Sequence, residues 1–309
     1  MGVHPASVWV TFSALVVLLL VLDLAVLNRR SHVLSMKEAL SWSGVLVALA
    51  ILFGLFMLSR EGTTHALEFY TGYLVELSLS VDNLFVFILV FQYFGVPAKL
   101  QPRVLKWGIL GAIVMRLVMI MVGAALLARF HWIIYVFGGI LVVTGIRMAR
   151  TRSEDTIDPE RNAVARLARR FLPFSERYDG QKFVTRVGGG LRATPLLLVL
   201  LVVEWTDLVF AIDSIPAIFA ITRDPFLVYS SNIFAILGLR ALYFVLAGAL
   251  DRFIYLKAGV AFILVFVGLK MALSAWVQIP ILLSLGVIVA SLALAIGLSL
   301  RKAPGPAGA

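Results

Sequence analysis

Cysteine is absent from this 309-residue sequence, and only 14% of its residues are charged. The first absence rules out disulfides and thiolate metal sites, and it leaves the redox compartment unread. The second falls well below the roughly 25% usual in soluble domains. Histidine is scarce too: His4, His32, His65 and His131 all fall near the ends of apolar runs, so none is a strong ligand candidate. No glycine-rich phosphate motif ending in Lys-Ser or Lys-Thr occurs, which argues against ATP-driven pumping by this chain alone. No His or Cys nucleophile arrangement occurs either, so the chain is not read as an enzyme.

Apolar residues make up 61% of the chain, and its mean hydropathy is +1.00. Runs of about 20 apolar residues, the length of a spanning helix, lie near 8–27, 42–59, 67–95, 105–127, 131–149, 194–221, 228–250, 253–276 and 280–300. They predict an all-α polytopic membrane protein with about nine transmembrane helices, forming a single membrane domain over 1–309. The first run is expected to remain as a helix, because Met1 to Ser7 carries no Lys or Arg and the run exceeds a signal-peptide core.

The formal net charge is +10, which could suggest a nucleic-acid partner. Its distribution argues for lipid instead. Arg29, Arg30 and Lys37 follow the first run, Lys99, Arg103 and Lys106 the third, and Arg301 and Lys302 the last, while 150–192 is dense in Arg. The alternate loops are poor in Lys and Arg. The positive-inside rule therefore puts the N-terminus outside and the C-terminus and the 150–192 loop in the cytoplasm; the expected location is a bacterial plasma (inner) membrane.

Glu76-Leu-Ser-Leu-Ser-Val-Asp82-Asn83 returns as Asp207-Leu-Val-Phe-Ala-Ile-Asp213-Ser214. Downstream, Arg116 matches Arg240, and Gly145-Ile-Arg-Met-Ala149 matches Gly268-Leu-Lys-Met-Ala272. Two three-helix units are implied, 66–149 and 194–276. With an odd number of spans each, the second must enter from the opposite face, giving an inverted repeat of the kind that holds substrate near the midplane. The segments 1–60 and 280–300 supply peripheral helices, and 150–193 a cytoplasmic basic loop. In that loop Asp158-Pro159 predicts a helix start, with Val164, Leu167, Ala168 and Phe171 on one face; the helix either lies on the inner leaflet or docks on the bundle, and Gly188 to Gly190 reads as a hinge.

A charge at the centre of a membrane helix costs roughly 2.5–3.5 kcal/mol on insertion scales, so intramembrane acids mark a pathway by default. The candidates here are Glu76, Asp82 and Asn83 in the third run and Glu204, Asp207 and Asp213 in the sixth, with Ser80, Thr206, Ser214, Asn232 and Asp23 in a second tier. Asp23 sits near the inner end of its run, where interfacial solvation competes with a site role. All the donors are oxygens, which suit hard divalent cations such as Mn²⁺, Mg²⁺ or Ca²⁺. Met115, Met119, Met121, Met148 and Met271 are scattered among aliphatic residues and read as packing. Six helical residues rise about 9 Å and turn about 240° net, so Glu76 and Asp82 cannot point together unless the helix unwinds; otherwise they serve different points of a path. Pro216 makes a local break near Asp213 plausible. Arg116 and Arg240 supply charge that a buried packing network would need, but the five acids exceed them, and that excess favours a cation site.

At these residues the chain resembles the TerC family of integral membrane proteins, from about Ala66 to Met271. The specific parts are the Glu76–Asn83 stretch, Thr194-Pro195, Glu204-Trp-Thr-Asp207 through Asp213-Ser-Ile-Pro216-Ala217, and Asn232 through Gly238-Leu-Arg240. The resemblance implies a relative of LysE-type exporters, manganese efflux, a historical link to tellurium resistance, and metal-pathway roles for Glu76, Asp82, Asn83, Glu204, Asp207 and Asp213. No tightly bound cofactor is expected, Mn²⁺ or a similar ion being the cargo, and proton coupling stays open. A competing class is a non-transporting factor that delivers metal or assembles exported proteins through its cytoplasmic loop; protein partners are not legible.

Overall fold

The computed structural model describes residues 4–27, 35–130, 132–150, 163–175, 177–187, 190–247, 255–277 and 279–302; the side chains at 23–27 and of Asp82, Phe85, Ala163, Val164 and Arg240 lie outside that set. The chain runs α1 (Ala6–Leu27), α2 (Met36–Glu61), α3 (Thr63–Tyr93), α4 (Gln101–Arg129), α5 (Ile133–Arg150) and α6 (Ala163–Phe171). It continues with β1 (Val184–Val187), β2 (Gly190–Ala193), α7 (Pro195–Phe219), α8 (Pro225–Ala247), α9 (Leu256–Ala272) and α10 (Ile281–Lys302). Six of these, α2, α3, α4, α5, α7 and α10, are long and apolar enough to cross a membrane. A seventh is reached if α8, bent by 51° between Leu239 and Ala241, counts as one span.

Local chemistry sets several of the ends. Ser35 caps α2 in a reciprocal box with Glu38, each side chain bonded to the other's backbone N–H. Asp224 caps α8 by accepting from the Phe226 N–H at 2.8 Å. Pro102 and Pro195 occupy first turns, where a missing N–H leaves no bond unmade. Pro216 does not break α7, which continues to Phe219: the proline falls in the last turn, where Ile215, Ala217, Ile218 and Phe219 are all buried. The acids of α3 and α7 therefore sit on unbroken helices.

In the bundle α3 is central, with 75% of its apolar window buried against 17% for the peripheral α10. It packs along α8, with Phe69 against Phe234 and Phe91 against Tyr243, so the two run parallel. In the same way α4 and α7 run parallel, Gly108 meeting Val203 and Gly123 meeting Phe219. By contrast α5 and α9 cross antiparallel: Gly138 meets Gly268 and Ala272, and Gly145 meets Ala261 and Val265. A Cβ on Gly268 would lie 2.8 Å from the Gly138 carbonyl oxygen, so glycine is what lets these backbones touch.

Between α5 and α7 the described loop holds more than one helix. Strands β1 and β2 pair antiparallel from Val184 with Ala193 to Val187 with Gly190; of the glycines read as a hinge, Gly190 begins β2, while 188 and 189 lie outside the described residues. Its partners are long-range. Phe183 lies edge-on to Trp107 and beneath the Arg103 guanidinium, and the Tyr178 hydroxyl donates to the Phe94 carbonyl at 2.9 Å. Thr185 and Lys182 bond the Asp179 carboxylate and hold its pKa below the usual value. The expected start of α6 at Asp158-Pro159 lies outside the described residues.

Candidate functional site

One fully buried guanidinium, that of Arg116 on α4, organises the centre of the bundle. It ion-pairs with Glu76 on α3 through Nη1 and with Asp207 on α7 through Nη2 at 3.2 Å, and its Nε donates to the other Asp207 oxygen at 3.4 Å. Nη1 also donates to the Ser214 hydroxyl at 3.3 Å. Counted formally, two carboxylates against one guanidinium leave one negative charge in excess. That excess is held where water is scarce, since Glu76 is wholly buried and Asp207 only 2% exposed.

Polar atoms without partners gather on the helices around it. Glu76 Oε2, Ser80 Oγ and Asn83 Nδ2 on α3, and both amide atoms of Asn232 on α8, are buried with no hydrogen-bond partner among the described residues. Each such group costs about 1–3 kcal/mol if it stays unpaired, so in a native fold water, an ion or a side chain outside the described set completes it.

Of the remaining expected site residues, Glu204, Asp213 and Thr206 face elsewhere. Glu204, one turn before Asp207, points its half-buried carboxylate at Gly111 of α4, where a Cβ would overlap it. Asp213 accepts from the Thr144 hydroxyl of α5 at 2.8 Å, with the charge of Arg147 close by. The Thr206 hydroxyl is spent on the Val202 carbonyl of its own helix at 2.7 Å. For Asp82, Arg240 and Asp23 the side chains lie outside the described residues. Among the described residues no three His, Asp or Glu side chains converge on one metal position. The described acids are thus strung along the bundle rather than gathered into a cage.

A second polar group closes one end of the bundle. Thr222 donates to Glu68 at 2.8 Å, and His4 places Nε2 2.9 Å from Asp224 and Nδ1 3.5 Å from Glu61.

Residues 61–304, which include every one of these acids except Asp23, match the TerC integral membrane protein family. The chain belongs to that family. It is 51% identical over 301 residues to "Uncharacterized membrane protein STKORF319" of Myxococcus xanthus, covering 97% of this chain and 94% of the relative. It is 48% identical over 289 residues to "Putative membrane-bound redox modulator Alx" of Escherichia coli (strain K12), covering 91% of this chain and 90% of the relative. The Alx of Photorhabdus laumondii is 44% identical over 301 residues, with 94% of each chain covered. No solved structure matches.

Three features of this TerC protein's interior escaped the sequence. Thr144 carried no signal, being one hydroxyl among apolar neighbours. Gly111 is one glycine among 24, and only the approach of α7 to α4 gives it meaning. From the sequence Arg116 reads as a supporting charge matched to Arg240, whereas it is the hub that binds an acid from each of two helices.

Proposed function

We propose that this TerC protein is a secondary transporter that exports a hard divalent cation, Mn²⁺ foremost, through the acidic path centred on Arg116. The observation that carries the reading is the Glu76–Arg116–Asp207 triad, in which one buried Glu76 oxygen has no hydrogen-bond partner among the described residues. Glu76 and Asp207 each precede the second acid of the repeated motif by six residues, so they are equivalent positions of the two units. Their meeting on one guanidinium is what an interface site between repeats requires.

An inverted repeat of α3–α5 and α7–α9 accounts for the helix pairings. A two-fold axis in the membrane plane turns the parallel α3–α8 contact into the parallel α7–α4 contact and carries the antiparallel α5–α9 contact onto itself. With α1, α2 and α10 added, the count is nine spans, N-terminus outside and the loop and C-terminus in the cytoplasm of a bacterial inner membrane.

In this scheme Arg116 stands in for the cargo when the carrier is empty. A divalent ion reaching Glu76 and Asp207 loosens the guanidinium's hold, and Glu204 and Asp213 offer oxygens further along the path. Mn²⁺ fits an all-oxygen donor set, and it is the ion the family resemblance implies. The names of the Alx relatives speak of redox modulation; in this chain, which has no cysteine, any such role would run without thiol chemistry of its own. Purified protein in liposomes holding a Mn²⁺-quenched dye tests the scheme: flux that Glu76→Gln or Asp207→Asn abolishes supports it, and inert wild-type protein favours the partner-dependent factor instead.

A further inference from the structure

We infer that α6 and the β1–β2 hairpin form an interfacial anchor that binds anionic phospholipid headgroups of the leaflet on their side of the bundle. Three faces of α6 carry the inference. Ala165, 4% exposed, docks against the α7 side, and Ala168 packs beside it. At about 100° per residue, Leu167 and Phe171 fall on the far side, and Arg166 and Arg170 line one flank between. Phe171 is 72% exposed and Leu167 56%, an apolar pair that water does not favour.

Position along the bundle supplies the second argument. Phe183 of the hairpin packs on Trp107, itself 46% exposed near the start of α4. Exposed tryptophans on spanning helices settle at the boundary between acyl chains and headgroups, so the hairpin and α6 stand at that level. There Phe171 and Leu167 reach into acyl chains while the arginines stay among headgroups, as in interfacial amphipathic helices.

Charge gives the third. Arg166, Arg169, Arg170, Arg186 and Arg192 are exposed here, and the one described acid of the segment, Asp179, is already engaged by Thr185 and Lys182. Each arginine near an anionic surface strengthens partition by roughly fivefold. The apolar pair favours a bilayer over free phosphate or nucleic acid, neither of which would bury it.

Because the chain has no cysteine, Phe171→Cys carries a single spin label in the full protein. In bilayers containing phosphatidylglycerol the label should collide with oxygen more than with a water-soluble nickel chelate. In pure phosphatidylcholine, at high salt, or with Arg166, Arg169 and Arg170 all changed to Gln, that preference should reverse. Nickel dominance in phosphatidylglycerol bilayers would overturn the proposal in favour of a water-facing or partner-binding surface. Exclusion of both reagents would mean docking on the bundle, and oxygen dominance in both lipids would refute the headgroup part; either result also overturns it. A matching label at Leu167 guards against a local effect of one substitution, and transport activity has no part in the readout.

Discussion

Arg116 holds two carboxylates, so single and joint losses should differ sharply. In Glu76→Gln or Asp207→Asn the guanidinium keeps one partner, and thermal melts in detergent should fall by no more than about 1–2 kcal/mol equivalent. The double variant leaves a buried cation alone, at a penalty of about 3–5 kcal/mol. Melting of all three against wild type reads this directly; additive small losses would mean that Arg116 is solvated by water rather than held by the acids. Gly111→Ala makes a sharper local claim. Its new methyl displaces the Glu204 carboxylate, while an exposed helix position would gain up to about 1 kcal/mol from the same change. The expected result is unchanged or raised thermal stability with impaired transport. Asp213→Asn should keep the Thr144 bond, because an amide oxygen still accepts, so its protein should fold normally and lose transport.

At the scale of elements, the α5–α9 crossing is the most exacting contact. Gly145 faces the Ala261 carbonyl and the Val265 amide, and Gly268 faces the Gly138 carbonyl, so added carbon meets backbone that cannot step aside. Gly268→Val or Gly145→Leu should destabilise by at least the 1–3 kcal/mol typical of overpacking, seen as a lower melting temperature without loss of any site residue. Helix positions were legible in the sequence, because runs of about 20 apolar residues leave little choice within a bilayer: the run at 42–59 became Met36–Glu61 and that at 280–300 became Ile281–Lys302. The hairpin was not legible. Its strands are four residues each and largely exposed, and they are secured by Trp107, Arg103 and Phe94 from distant parts of the chain. Nor could Pro216 be placed, since a proline breaks or merely ends a helix according to the packing around it.

For the whole molecule, the candidate site was legible as a set of residues but not as a set of pairings. Glu76, Asp207, Ser214, Asn83 and Asn232 stood out because polar groups in apolar helices are costly, while which acid meets Arg116 depends on how closely α3, α4 and α7 approach. Reporter fusions check the arrangement at large: the 150–192 loop and the C-terminus should report from the cytoplasm and the N-terminus from outside, and the opposite sidedness of the loop would remove the inverted orientation of the two units. The central claim, that the Glu76–Arg116–Asp207 triad is a transport site, is tested most directly by Mn²⁺ flux into liposomes containing this protein alone. Wild-type protein should quench the internal dye, and the folded Glu76→Gln and Asp207→Asn proteins should not. Quenching that proceeds equally in all three would contradict it.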